Sequence, residues 1–160
     1  EAGNHGAGSA SRHADYALRV LLYLGKKGAE ISSIRGISEA YGISHNHLMK
    51  VVHELGKAGY LSSVRGRYGG IRLSRPASTI NIGEVLCKME RDFQLADCGS
   101  CRIAGGCGLQ GVLDEAVAAF LGVFQRYSLQ DLLDQSPQIE KMLKIMMHEV
   151  GETALPKVAR

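Results

Sequence analysis

Tyr41-Gly-Ile-Ser-His-Asn-His-Leu-Met-Lys50 is the stretch that decides the fold. Gly42 ends one helical pattern in a tight turn, Ser44 is placed to cap the next, and Leu48, Val51, Val52 and Leu55 then recur at three and four. Upstream, Ser33 is placed to cap a short helix carrying Ile34, Ile37 and Ala40. Two helices joined by a Tyr-Gly-Ile-Ser turn form a helix-turn-helix.

Working outward, Ala14, Ala17, Leu18, Leu21, Leu22 and Gly25 mark the core face of a first helix, which Lys26, Lys27 and Gly28 close. Downstream, the extended runs Tyr60 to Val64 and Gly70 to Leu73 flank Arg65-Gly66-Arg67-Tyr68-Gly69, a β-hairpin with a basic, glycine-rich tip. Pro76 with Ala77-Ser78-Thr79 reads as a linker. Ile82 to Met89 reads as a short helix and residues 91 to 107 as an irregular loop bearing cysteines. From Leu109 to Tyr127 a long amphipathic helix is predicted, whose Leu109, Val112, Leu113, Ala116, Val117, Phe120 and Phe124 repeat for over two heptads, enough for a helix-helix seam. Ser128 to Leu133 and Pro137 to Val150 also read as helical. The expected fold is mainly α: a winged helix-turn-helix with a two-stranded wing, a cysteine-bearing loop and a long dimerisation helix.

The chain has 160 residues, 45% apolar and 22% charged, which suits one compact domain or a small domain with a helical appendage and excludes a second enzyme domain. No stretch approaches the ~18 apolar residues of a membrane span and no secretory signal is evident, so a cytoplasmic location without membrane partners is expected. Residues 1 to 10, rich in Gly and Ala, read as a tag or mobile arm. The net charge of +3 is unevenly spread. Residues 1 to 90 hold 12 Lys and Arg against 7 Asp and Glu, net +5, and residues 91 to 160 hold 7 against 9, net -2. The basic half therefore suits an anionic partner.

Between 44 and 76 that charge is concentrated in Lys50, Lys57, Arg65, Arg67, Arg72 and Arg75, with Glu54 the one acid. The helix starting at Ser44 offers His45, Asn46 and His47 to base edges in a major groove, while Lys50 and the helix start hold phosphate. Arg65 or Arg67, with Tyr68 at the hairpin tip and Arg72 on its second strand, can reach the neighbouring minor groove and backbone. A merely solvated charged face is the alternative.

Cys98-Gly-Ser-Cys101-Arg-Ile-Ala-Gly-Gly-Cys107 places three thiols within ten residues of a glycine-rich loop. Thiolates favour soft or borderline metals, and no His or Cys follows Cys107 at zinc-site spacing, His148 being the next His. An iron-sulfur cluster with one labile corner is thus preferred over zinc and over metal-free redox thiols. Cys87, beside Ile82, Val85 and Leu86, is expected to be a buried structural thiol rather than a ligand. His13, His53 and His148 share no spacing and are expected at the surface or in helix packing. There is no Ser-His-Asp set, phosphate-binding glycine loop or carboxylate pair, so the chain is not expected to be an enzyme.

Asp15-Tyr-Ala-Leu-Arg19, the helix-turn-helix run 41 to 50, Val64-Arg-Gly-Arg-Tyr-Gly-Gly-Ile-Arg-Leu73, and the three-cysteine loop with the helix ending Tyr127-Ser-Leu-Gln-Asp-Leu132 occur in order. Together, over residues 12 to about 135, they resemble the iron-sulfur winged-helix transcriptional regulators, and within them the nitric-oxide-sensing NsrR branch. Two features depart from the wider pattern: the first cysteine gap is only two residues, and Gln110 stands where the IscR branch places a ligand histidine. The resemblance implies a cytoplasmic, homodimeric repressor that binds palindromic double-stranded DNA and senses nitric oxide, with iron- or redox-sensing as the alternative effector and a thiol or electron-transfer protein as the alternative class. It implies a cluster, 4Fe-4S ahead of 2Fe-2S, held by Cys98, Cys101 and Cys107 and by Asp15 of the partner subunit, although Asp15 also has a plain reading as a helix-surface carboxylate. The implied organisation is a DNA-binding domain over 11 to 80 and a cluster loop with dimerisation helices over 81 to 160.

Overall fold

In a computed structural model, residues 12–90, 93, 96–139 and 141–145 are described. The elements in order are α1 (Arg12–Lys27), α2 (Ile34–Tyr41), α3 (His45–Lys57), β1 (Leu61–Val64), β2 (Gly70–Leu73), α4 (Ile82–Met89), α5 (Leu109–Phe124) and α6 (Leu129–Asp134), with single 3-10 turns at Ala77–Thr79 and Ala104–Gly106. The architecture is mainly helical with one antiparallel hairpin, as the sequence predicts. The expected arm at 1 to 10 lies outside the described residues, as do 140 and 146–150 of the expected helix 137 to 150; within the described part residues 139 and 141–145 are helical and Leu143 is buried.

The helix-turn-helix forms for local reasons. Ser33 caps α2 by accepting a hydrogen bond from the Gly36 backbone N–H at 3.0 Å. Gly42 then ends α2 at φ 61°, the left-handed region where a side chain would strain the turn. Buried Ser38 donates its hydroxyl to the Ile43 carbonyl at 2.6 Å, and the Ile43 N–H returns to the Ser38 carbonyl at 3.0 Å. Ile43 is thereby driven into the core and α3 leaves at a fixed angle. Ser44 flanks α3 but makes no side-chain capping bond, contrary to the expectation from its residue type. The turn is already fixed by Ser38, so the start of α3 does not depend on that cap.

The hairpin pairs Leu61 with Leu73 and Val64 with Gly70, and Ser32 bridges Ile71 on the outer side of β2. The connection before α2 is thereby tied to the edge of the two-stranded sheet by a single bridge. Gly70 is held against the Ser32 backbone so closely that a Cβ would collide with it. Beneath the hairpin Tyr60 is fully buried, with the Arg75 guanidinium 4.8 Å and the Lys88 ammonium 5.1 Å from its ring centroid, a cation–π arrangement.

One buried cluster runs from Ala14 in α1 through Leu48, Val51 and Leu55 in α3 to Ile82, Val85 and Leu86 in α4 and Leu129 and Leu133 in α6. Helix α1 lies at its centre and packs on α3, α4, α6 and β2. This shifts its buried arc from the one expected. Val20, Tyr23 and Leu24 are buried, whereas Leu18 and Leu22 are only half-buried. A helix surrounded by neighbours buries more than a single stripe, and the three-four pattern registers only one.

Helix α5 is the opposite case. None of its residues is buried, and Leu109, Val112, Phe120 and Val123 are exposed, Val112 to 62%. It ends at Phe124 rather than Tyr127, because Gln125 and Arg126 turn the chain back. There α4 is seated directly on it: a Cβ on Gly83 would meet the Gln125 backbone nitrogen at 2.9 Å, and Asn81 donates its side-chain amide to the Gln125 carbonyl at 2.7 Å. Ser128 and Asp131 close a capping box that starts α6.

Candidate DNA interface and cysteine loop

The buried stripe of α3, Leu48, Val51, Val52 and Leu55, fixes which residues point outward. At about 100° per residue, Asn46, Lys50 and His53 lie opposite that stripe, His47 and Glu54 lie on the flank towards α1, and His45 and Met49 lie on the other flank. Ser44, His45, Asn46, His47 and Lys50 are all exposed. Met49 is exposed to 50% as well, although its residue type alone suggests core. Its place among the polar outward residues suits an apolar contact with a thymine methyl.

On the hairpin, Arg65, Arg67, Tyr68 and Arg72 are exposed, Tyr68 to 85%. The Arg67 guanidinium lies 5.8 Å from the Tyr68 ring centroid, so the tip projects a cation stacked on an aromatic ring. Gly66 turns at φ 116° and carries the tip away from the strands.

The first turn of α1 abuts the recognition helix. His13 and Glu54 meet at 2.8 Å between Nε2 and Oε2, a half-buried contact linking the two helices. Asp15 accepts a hydrogen bond from Arg19 Nε at 2.9 Å, and this bond is the main cause raising the guanidinium pKa above its ordinary value. The same guanidinium lies 6.0 Å from the ring centroid of Tyr41, whose phenol burial pushes up to about 12. Asp15 therefore has the ion-pair partner of a surface carboxylate and remains only partly covered.

Cys98, Cys101 and Cys107 are all free thiols; Cys101 is exposed and the other two are half-buried. A hydrogen-bonded turn shapes their loop. Asp97 accepts from the Ser100 hydroxyl at 2.6 Å and the Ser100 N–H at 3.3 Å, bonds that hold its carboxyl below the usual range. The resulting turn carries Cys98 and Cys101. The remaining described bonds of the loop are local, including Cys101 N–H to Cys98 C=O at 3.3 Å and Ala104 N–H to Cys101 C=O at 3.2 Å. A cleft of about 520 Å³ separates the loop from α5, lined by Phe93, Cys98, Gln110, Leu113 and Val117 among others. Among the described residues no three His, Cys, Asp or Glu side chains converge closely enough to hold a metal ion. The donor chemistry nevertheless fits a thiophilic cluster, because three reduced sulfurs occupy a loop without buried residues that can close at little packing cost.

Cys87 corrects an expectation. It is exposed on α4, not buried. Ile82, Val85, Leu86 and Met89 occupy the inner face of that helix, and Cys87 falls outside their stripe.

Residues 10–135 match the Rrf2 family, described as iron-dependent transcriptional regulators. The chain is 45% identical over 141 residues to the HTH-type transcriptional regulator NsrR of Bacillus subtilis, covering 84% of this chain and 97% of that protein. Among solved structures it resembles CymR, the global cysteine regulator of B. subtilis, at 25% identity and a TM-score of 0.62, covering 78% of this chain and 95% of that one. IscR of T. potens shares the fold at 22% identity and a TM-score of 0.62, with 83% and 89% coverage. The relatives are regulators of transcription rather than enzymes. No helix among the described residues is long and apolar enough to cross a membrane.

Proposed function

The chain belongs to the Rrf2 family of transcriptional regulators, and on that premise we propose that it is a homodimeric repressor that releases a palindromic operator when nitric oxide reaches an iron-sulfur cluster. The observation that carries this reading is the pairing of three free thiols on one loop with an apolar helix, α5, none of whose residues is buried. A bound cluster, 4Fe-4S by preference, supplies an iron at which a small diatomic ligand is taken up.

Cys98, Cys101 and Cys107 would hold the cluster as thiolates. Asp15 of the partner subunit is the proposed fourth ligand. In each chain Arg19 engages Oδ1 of its own Asp15 and orients the carboxylate, leaving the second oxygen as a donor. The exposed apolar residues of α5 would bury one another across a two-fold axis, setting the separation of the two recognition helices. An operator with half-sites one turn, about 34 Å, apart demands that separation. Loss of the Asp15 tie would shift the dimer away from it, and about 1.4 kcal/mol of differential stability suffices for a tenfold change in occupancy.

Asn46 and Lys50, with His45, His47 and Ser44 beside them, would face the major groove, and Arg65, Arg67, Tyr68 and Arg72 the adjacent backbone and minor groove. The experiment is anaerobic purification, iron and sulfide analysis, and nitric oxide titration followed by visible absorption and DNA binding together. Loss of colour and of operator affinity in parallel is expected. A protein that binds its operator equally well without iron and ignores nitric oxide overturns the reading.

A second reading, in which cluster occupancy itself is sensed, is favoured by the family's description as iron-dependent. Release of DNA on iron chelation but not on nitric oxide would select it.

A further inference from the structure

The first turn of α1 and the flank of α3 enclose a cleft of about 300 Å³ lined by Arg12, His13, Tyr16, His47, Lys50 and Val51. Two short stripes meet there: residues 12, 13 and 16 on α1, and 47, 50 and 51 on α3, each set spaced to share one side of its helix. Val51 is buried and forms the floor, while Arg12, His47 and Lys50 are exposed at the rim. The carboxylate beside the cleft, Glu54, is engaged by His13 at 2.8 Å. Neither Arg12 nor Lys50 makes an ion pair among the described residues. The result is a mostly apolar recess edged by a phenol and by two cations that make no ion pair among the described residues, directly beside the outward face of the recognition helix.

We infer that this cleft seats a phosphate of the DNA strand bordering the major groove, with Arg12 and Lys50 supplying charge and the Tyr16 hydroxyl donating a hydrogen bond. The inference rests on the DNA-binding reading above and extends the interface to α1, beyond the recognition helix and hairpin. When a helix occupies a major groove, the sugar-phosphate rail passes along its flank; His47 lies on the flank that α1 adjoins, and Lys50, at the edge of the outward face, reaches the same cleft. The His13 and Glu54 pair fixes the spacing of the two walls and so acts as a positioning contact. It also engages the Glu54 carboxylate, which is thereby kept from neutralising the cations that face the phosphate.

The test uses the full chain, purified anaerobically, and a mixed-sequence DNA duplex, because a phosphate contact carries no sequence information. Affinity is followed by fluorescence anisotropy across a salt series. Arg12→Ala is expected to lower the slope of log affinity against log salt by about 1, and Arg12→Lys to retain most of it. Tyr16→Phe is expected to weaken binding about fivefold with little change in slope. Far-UV circular dichroism checks that each variant is folded. Inorganic phosphate at matched ionic strength is expected to compete no better than chloride; selective displacement by it marks a free-anion site and overturns the assignment. A parental slope and affinity in Arg12→Ala likewise overturns it. A parent chain that binds no duplex at any salt fails at the DNA-binding reading itself, an outcome distinct from a bound parent with an indifferent Arg12.

Discussion

Asp15 and Arg19 are ion-paired one turn apart on α1, at 2.9 Å, with both side chains partly exposed. Exposed pairs of this kind contribute little to folding, typically under about 1 kcal/mol. Asp15→Ala should therefore leave thermal stability close to the parent's while changing the visible spectrum and impairing specific DNA binding. Parental absorption, nitric oxide kinetics and operator affinity in that variant would return Asp15 to the role of a surface carboxylate.

Iron content should divide the four cysteines. Cys98→Ala, Cys101→Ala and Cys107→Ala are each expected to lose iron and sulfide, and Cys87→Ala to keep both. Exposure of Cys87 on α4 makes its substitution nearly free of packing cost. Colorimetric iron analysis per chain decides the matter, and stoichiometric iron loss from the Cys87 variant reverses the assignment.

Sequence preference and salt dependence should separate on the two DNA-facing elements. Asn46→Ala is expected to relax base preference at one operator position by about 1 to 3 kcal/mol. Arg67→Ala is expected to weaken binding to all sequences and lower the salt slope by about 1. Competition assays over single-base operator variants measure the first and a salt series the second. Uniform loss across sequences from Asn46→Ala would move that residue to the backbone contacts.

The apolar side of α5 should govern assembly. Val112, exposed on α5 in the single chain, is a direct probe: Val112→Glu should weaken dimerisation at least about tenfold, or 1.4 kcal/mol. Sedimentation equilibrium reads this, and an unchanged dimer constant places the interface elsewhere.

Acid stability should depend on the cap of α6. Hydrogen bonds from the Ser128 hydroxyl and N–H hold the Asp131 carboxyl below its ordinary range. The ionised form is thus favoured by folding, so its contribution is complete above the unfolded carboxylate pKa and disappears as pH falls through the folded one. Thermal melts from about pH 5 downward should show this loss in the parent and a shallower acid limb in Asp131→Asn. Superimposable acid limbs would show that the cap does not contribute.

The helix-turn-helix was legible because its signals are local: Ser33, Gly42 and the stripe from Leu48 to Leu55 each act within a turn or two. The hairpin was legible for the same reason, but Ser32 joining it was not, since bridging to Ile71 is a contact between distant positions. Burial of Val20 and Leu24 depends on the four elements packed around α1, and exposure of Cys87 on where Met89 draws the α4 face. In the cysteine loop, residue types reveal the donors, while the Asp97 turn is not legible because only its hydrogen bonds to Ser100 distinguish that carboxylate from an ordinary surface one. The place of Arg12 and Tyr16 is not legible in the sequence, since it arises only when α1 is laid beside Lys50.

The tight seat of Gly83 on Gln125 makes α5 a lever with one clamped end. Its 16 residues give an arm of about 24 Å, and the cysteine loop joins at the far end. A tilt of roughly 10° at the clamp would swing that end through about 4 Å, taking the length from the rise per residue. In the opposite direction the leverage is mechanical advantage: a displacement of the loop by a few ångströms arrives at α4 as a small rotation, delivered where Gly83 meets the backbone and Cγ of Gln125. Enlarging Gly83 would therefore loosen the transmission at its stiffest joint, far from both thiols and DNA.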